Sequence, residues 1–140
     1  MLSCFRQARA AGALLLAASA LWLAGCATLA PATTPEEVVV QRSQERWDAL
    51  LKGDFARAWT YAPPSVRAEV KQGDYKKRFG TAGKWKSVQI EKVTCEPETC
   101  IVRVLVVTEL AVPGFKGKDL KSTVDEAWVR DDGQWWFREP

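Results

Sequence analysis

Histidine is absent from all 140 residues, methionine occurs once and tyrosine twice. Without imidazole the chain lacks the usual general base of neutral pH, so neither a Ser–His or Cys–His nucleophile pair nor a His–carboxylate proton shuttle can be built. The commonest metal ligand is missing for the same reason. Ser65, Ser87 and Ser122 sit in no nucleophile-elbow pattern, and no glycine-rich loop of the phosphate-cradling kind occurs. No repeat or low-complexity segment is present, and no uncharged stretch forms an unbroken apolar run. Gly12, Ser19, Gly25, Thr28 and Pro31 interrupt the one that extends to Pro35, whereas a spanning helix needs about 20 predominantly apolar residues. A formal charge of only +3 gives little to attract nucleic acid.

What the chain does have begins with its leader. Arg6 and Arg9 precede a mostly Ala/Leu run from Ala10 to Ala24, the layout of a signal peptide. The run ends in Leu23-Ala24-Gly25-Cys26, which resembles the lipobox of bacterial lipoproteins. That resemblance implies cleavage before Cys26, acylation of its sulfur and new amino group, and a signal peptide spanning residues 1–25. Removing it leaves 115 residues, enough for one modest core, and takes two arginines and no acid, so the net charge falls to +1. Ala27 follows the lipidated cysteine. In the Gram-negative lipoproteins that this resembles, that implies the periplasmic face of the outer membrane. Residues 26–34 then read as a flexible tether and 35–140 as a single domain.

Cysteine usage fits the same compartment. Cys4 leaves with the leader and Cys26 carries lipid, so Cys95 and Cys100 are left framing Glu96-Pro97-Glu98-Thr99, a tight turn between two apolar runs. Such a pair suits a disulfide in an oxidising compartment, with free thiols the alternative. A zinc pair would need further His or Cys ligands that the chain does not have, and no cofactor motif appears.

The order of elements is helices first, strands afterwards. Thr34-Pro35-Glu36-Glu37 is a capping box with proline at the first helical position. Val40, Trp47, Leu50 and Leu51 share an apolar face, with Arg42, Glu45, Arg46 and Lys52 expected elsewhere. Gly53 ends this helix and Asp54 caps a second, carrying Phe55, Ala58, Trp59 and Tyr61; Pro63-Pro64 stops it. Ser65 is placed to cap a third helix to about Gln72, and Gly73-Asp74 starts a fourth through Phe79. From Trp85 the pattern changes to Val, Ile and Thr: strands at 85–95 and 100–110, a long loop at 113–118, a strand at 120–129, the turn Asp131-Asp132-Gly133, and a last strand at 134–138. Ile101 to Val107 is apolar apart from Arg103, which predicts cover on both faces for part of that strand. The class is α+β, with N-terminal helices packed on a curved antiparallel sheet of about four strands.

Element order, Gly53-Asp54-Phe55 between two helices and Asp132-Gly133-Gln134-Trp135 before the last strand together resemble the nuclear transport factor 2-like superfamily across 36–139. The resemblance implies a cone in which the sheet wraps around the helices, an architecture that often encloses an aromatic-lined cavity.

Three sets of residues are candidates for function. Trp47, Trp59 and Trp128 with Glu126 could line such a cavity for a small apolar ligand, although tryptophans at these positions also serve a small core. Trp135 and Trp136 are adjacent and point opposite ways on a strand, so they cannot both face one cavity. Glu126 alternates with Val124 and Trp128, which makes it the best carboxylate base, with Tyr61 or Tyr75 as acid. Its structural alternative is a salt-bridged carboxylate near Arg103. Lys71, Lys76, Lys77, Arg78, Lys84 and Lys86 concentrate positive charge between Arg67 and Lys92, where eight basic residues meet three acids. They form either a face for an anionic envelope component or a solvated surface. The expectation is a non-catalytic interaction or assembly module held to its membrane by lipid, with an envelope protein or anionic envelope component as partner. A small-ligand binder is the alternative, and a carboxylate enzyme independent of histidine comes third.

Overall fold

The structure is a computed structural model that describes residues 33–80 and 83–139. The signal peptide, Cys26 and most of the tether lie outside the described residues. Helix α1 spans Pro35–Leu51, α2 Phe55–Trp59 and α3 Pro64–Glu69, followed by a 3-10 segment, Gln72–Arg78. Strands β1 (Gly83–Glu96), β2 (Thr99–Leu110), β3 (Asp119–Asp131) and β4 (Gln134–Arg138) form one antiparallel sheet in the order β1-β2-β3-β4. The class is therefore α+β, with helices on a four-stranded meander.

Local chemistry sets most boundaries. At the start of α1, Thr34 Oγ1 accepts from the Glu37 amide at 3.2 Å while the Glu37 carboxylate accepts from the Thr34 amide at 2.9 Å. Two of the helix's orphan N–H groups are satisfied in this way. Asp54 caps α2 through Arg57 N at 2.9 Å. Asp132 and Gly133 both have positive φ, +48° and +74°, the conformation of the two-residue turn that matches strand twist. In β1 and β2, Cys95 pairs directly with Cys100 beside the Pro97-Glu98 turn, and the two are disulfide-bonded.

Several elements depart from expectation. Ser65 does not cap α3; Pro63 takes that place and Pro64 is the first helical residue. This helix ends at Glu69, α2 stops before Tyr61, and the segment up to Arg78 is 3-10 rather than α. The buried stripe of α1 is Val39, Ser43, Arg46, Trp47 and Leu50, with Ala49 alongside, so Arg46 lies inside the face from which its charge had excluded it. Strand β2 is covered on one face only. Cys100, Val102, Val104 and Val106 are buried, but Ile101 and Arg103 on the other face are exposed and Leu105 and Val107 half-buried. The core sits between that buried row, Trp128, Trp135 and Phe137 of the sheet, and α1, with Ala58, Tyr61 and Tyr75 closing it.

The interior face of β3 is only half filled. Glu126 and Trp128 are buried, whereas Leu120 and Val124, on the same face, are 50% and 40% exposed. The cause is the length of β4. Its pairing with β3 runs from Asp131↔Gln134 to Ala127↔Arg138 and goes no further, while β2 accompanies β3 to Asp119.

Candidate functional site

Where β4 ends, α1, the 3-10 segment and β3 leave a cleft of about 620 Å³. Trp47, Leu50, Phe79, Val124 and Phe137 supply its apolar wall; Arg46, Arg78, Glu126, Glu139 and Tyr75 supply the polar groups. Helical spacing brings Ser43, Arg46, Trp47 and Leu50 onto one side of α1. The β2–β3 register sets Glu126 opposite Val102, deep in the sheet.

Glu126 is the one carboxylate in the buried class among the described residues. Its Oε1 accepts from Arg46 Nη1 at 2.7 Å. Its Oε2 accepts from Ser43 Oγ at 2.7 Å and, more weakly, from Trp128 Nε1 at 3.4 Å. The side chains of Arg46 and Glu126 are 4% and 2% exposed, and the Arg46 guanidinium lies 3.6 Å from the Phe137 ring centroid. Such a pair has a large desolvation cost that only close geometry offsets. Held by Arg46 on Oε1 and by Ser43 and Trp128 on Oε2, this carboxylate is fixed in place as the counter-ion of Arg46. Arg103 is not the partner that the sequence pointed to; it bonds Asp125 at 2.8 and 2.9 Å on the opposite, exposed face of β3.

Other polar groups at the cleft are less satisfied. Arg46 Nε, Trp47 Nε1 and the Tyr75 hydroxyl are buried with no hydrogen-bond partner among the described residues. Burial raises the Tyr75 phenol above its ordinary range, a shift that Arg46 opposes. Arg78 pairs with Glu139 at 2.7 Å across the rim. Tyr61, the other tyrosine weighed as an acid, is turned away: its hydroxyl donates to Glu45 Oε2 at 2.7 Å.

The four residues proposed for a cavity divide evenly. Trp47 and Glu126 line the cleft; Trp59 and Trp128 do not. Trp128 is sealed in the core, with its ring edge-on to Tyr61 and Phe137. Trp59 Nε1 donates to the Val70 carbonyl at 2.8 Å, which ties α2 to the chain after α3. Tyr75, named as an acid for Glu126, does lie at the cleft, whereas Arg46, Phe79 and Phe137 were missed as cleft residues. The i, i+4, i+7 relation of Val39, Ser43 and Arg46 was the available signal for Arg46.

A second concavity, a surface groove of about 1100 Å³, lies on the far side of Leu50 and Phe79, which line both. Leu50, Leu51, Phe55, Phe79 and Trp85 line it together with Lys52, Lys76, Lys77 and Lys84, and no acid is among its lining residues. Phe79 meets Phe55 and Trp85 at centroid distances of 5.4 Å each. Of the expected basic face, Lys76, Lys77 and Lys84 gather here, with Lys77 paired to Asp74. Lys71 stands apart, Arg78 turns to Glu139, and Lys86 bonds Asp119 at 2.9 Å. Lys52, from the end of α1, joins the group unforeseen.

Among the described residues no three His, Cys, Asp or Glu side chains cluster to hold a metal ion, and no helix is long and apolar enough to cross a membrane. No protein-family model matches the chain, and neither does any curated protein sequence. Solved structures do. A SEC-C motif-containing protein from Rhodopseudomonas palustris superposes with a TM-score of 0.56 at 13% identity, over 76% of this chain and 77% of that one. A second SEC-C motif-containing protein, from Psychrobacter arcticus, gives 0.57 at 10% identity, over 75% of this chain and 60% of that one. An NTF2-like transpeptidase from Campylobacter jejuni, so described in its structure's name, gives 0.47 at 17% identity, over 71% and 95%. At these identities the first two likenesses speak to the fold alone.

Proposed function

We propose that this chain is a lipid-anchored lipoprotein of the bacterial envelope, with a nuclear transport factor 2-like cone domain, that acts by binding a partner and not by catalysis. The lipobox-like Leu23-Ala24-Gly25-Cys26 supports the anchor, and Ala27 supports the periplasmic face of the outer membrane. The observation that carries the non-catalytic reading is the capture of Glu126. The best candidate base spends both oxygens on Ser43, Arg46 and Trp128, and a histidine-free chain has no ready substitute. The partner is an envelope protein or an anionic envelope component, for which the lysine-rimmed groove provides complementary charge.

A crosslinking pull-down of the protein from its own membranes tests this reading. Wild type is expected in the membrane fraction with a reproducible crosslinked partner, and Cys26→Ser is expected either to leave the membrane or to persist there as the uncleaved precursor. Recovery of a Cys26→Ser protein that has lost residues 1–25 yet stays in the membrane at the wild-type level would contradict the anchor.

One observation favours a second reading, a small ligand in the cleft. Unpartnered donors on Arg46, Trp47 and Tyr75 border an apolar wall, an arrangement that suits an apolar body bearing acceptor atoms. Quenching of Trp47 fluorescence by envelope lipid extracts, lost in Phe137→Asp, would favour it.

A further inference from the structure

The connection from β2 to β3 is a built loop with an apolar tip. Leu110 N donates to Lys118 O at 2.9 Å and Gly117 N donates to Leu110 O at 3.0 Å, which closes the loop at its base. Within it, Phe115 N donates to Val112 O at 3.1 Å and Lys118 N to Phe115 O at 3.0 Å. Gly114 and Gly117 take φ values of +82° and +79°, which glycine adopts without strain. On this frame Val112 and Phe115 are 38% and 55% exposed, and Leu120, just beyond it, is 50% exposed. Single apolar side chains on a surface are ordinary, but these are neighbours. Of the large apolar side chains that are exposed, Ile101 alone lies away from this loop and the strand it feeds.

Positive charge gathers at the same end. No acid lies between Leu110 and Lys118, and Lys116, Lys118 and Lys121 have no salt-bridge partner among the described residues. The flanking carboxylates are met by other lysines. Asp119 bonds Lys86 at 2.9 Å, and Glu109 stands opposite Lys84 in the β1–β2 register. The lysine-rimmed groove opens at this end too, since Lys84, Trp85 and Thr108 line it and Gly83 pairs with Leu110. The far end of the sheet has the opposite sign, because its two turns expose Glu96, Glu98, Asp131 and Asp132. An anionic surface therefore attracts the loop end of the sheet and repels the other.

We propose that the β2–β3 loop is a membrane-contact tip, which seats Val112 and Phe115 at the headgroup–acyl boundary of an anionic bilayer while Lys116, Lys118 and Lys121 meet lipid phosphates. A bilayer admits backbone only where its polar groups are satisfied, and the four bonds across this loop supply much of that in advance. Lys118 Nζ lies 5.5 Å from the Phe115 ring centroid, so ring and cation arrive together. Lysine stems lie along apolar surface with the charge left among the headgroups. A stable protein interface buries about 800 Å² on each partner, far more than this narrow tip offers. The bilayer boundary needs no matched socket and takes apolar side chains bordered by lysine. Such a contact, which rests on the reading of an anionic envelope partner, narrows that partner to phospholipid and does not require the lipid on Cys26.

The test uses full-length protein with Val112→Cys, labelled with a polarity-sensitive fluorophore and mixed into vesicles of phosphatidylcholine alone or with phosphatidylglycerol. Gln134→Cys, beside the turn at the other end, is labelled in parallel, and unsubstituted protein gives the background. On the anionic vesicles the Val112→Cys label is expected to shift to the blue and to be quenched by nitroxide-bearing lipid, both weakened by salt. On phosphatidylcholine alone it is expected to stay aqueous, as is the Gln134→Cys label on either vesicle. Lys116→Glu with Lys118→Glu is expected to weaken insertion by about 25-fold or more, at about fivefold per lysine. Phe115→Asp is expected to abolish the quenching without moving the melting temperature. A Val112→Cys label that stays aqueous on anionic vesicles overturns the proposal, whether or not Cys26 carries lipid. Equal quenching on both vesicles, quenching indifferent to these substitutions, or a label shielded only by an acidic protein overturns it too. Each of these outcomes leaves the charge of the groove to its own test, the reversal of Lys52, Lys76 and Lys84.

Discussion

Replacing Glu126 with glutamine keeps the side chain's size but strips the buried Arg46 of its counter-charge. With side-chain exposures of 4% and 2%, solvent cannot make good the loss. Removing one member of such a pair costs about 3–5 kcal/mol, against a typical total stability of about 5–15 kcal/mol. At roughly 4 °C or more per kcal/mol for a domain of this size, the melting temperature should fall by more than about 10 °C. A double replacement, Arg46→Met with Glu126→Leu, removes both charges and should recover most of the loss. It gives up about 1 kcal/mol for each of the bonds from Ser43 and Trp128. Urea unfolding followed by tryptophan fluorescence on wild type, Glu126→Gln, Arg46→Met, Glu126→Leu and the double variant measures the loss and the coupling. A loss below about 1 kcal/mol in Glu126→Gln, the range of an exposed pair, would refute the sealed ion pair and return Glu126 to the list of available bases.

Other perturbations test separate parts of the account. Cys95→Ala with Cys100→Ala should lower unfolding stability by about 2 kcal/mol and leave the fold intact, as judged by circular dichroism and urea titration; labelling of both cysteines in non-reduced protein would show that the bridge is absent. The Tyr61 hydroxyl bond holds Glu45 below the usual carboxylate range. Its stabilisation is therefore present at neutral pH and lost as pH falls through the lowered value, so Glu45→Gln should flatten the acid limb of the stability profile; an unchanged limb would refute this. The Tyr61 phenol is raised, chiefly by burial and then by Glu45, so its contribution holds below the ordinary tyrosine range and fades as pH rises through it; Tyr61→Phe should flatten the alkaline limb. Reversing Lys52, Lys76 and Lys84 to Glu should weaken association with vesicles of anionic lipid and its salt dependence without moving the melting temperature; equal binding by the reversed protein would reduce the groove to a solvated surface.

Much of the fold was legible because its signals are local. Thr34-Pro35-Glu36-Glu37, Gly53-Asp54, the Cys95–Cys100 pair and Asp132-Gly133 each determine their own few residues, and together they give the element order. Arg46 was only half legible: helical spacing from Val39 and Ser43 puts it on the buried face, but its burial depends on Glu126, eighty positions away. A charged residue within an apolar stripe reads as polar until its partner is known. The bare half of β3 was illegible for a different reason. Leu120, Ser122 and Val124 alternate as they would under full cover, and the pattern alone does not show that, among the described residues, the pairing with β4 stops at Ala127. The cleft is the consequence of both, since it opens where β4 stops and is walled by the Arg46–Glu126 pair. Tryptophan content misled in part. Trp59 and Trp128 were as suited to a cavity as Trp47 by residue type, but one is spent on the Val70 carbonyl and the other on the core.

The central claim, a binding domain held to its membrane through Cys26, is tested most directly by the mass of the N-terminal peptide from membrane-extracted protein. The account predicts a peptide that begins at Cys26 and carries a diacylglyceryl group and an amide-linked acyl chain, because one chain alone gives only marginal anchoring and two or more hold stably. A peptide that begins at Met1, or one in which Cys26 is a free thiol, would contradict it.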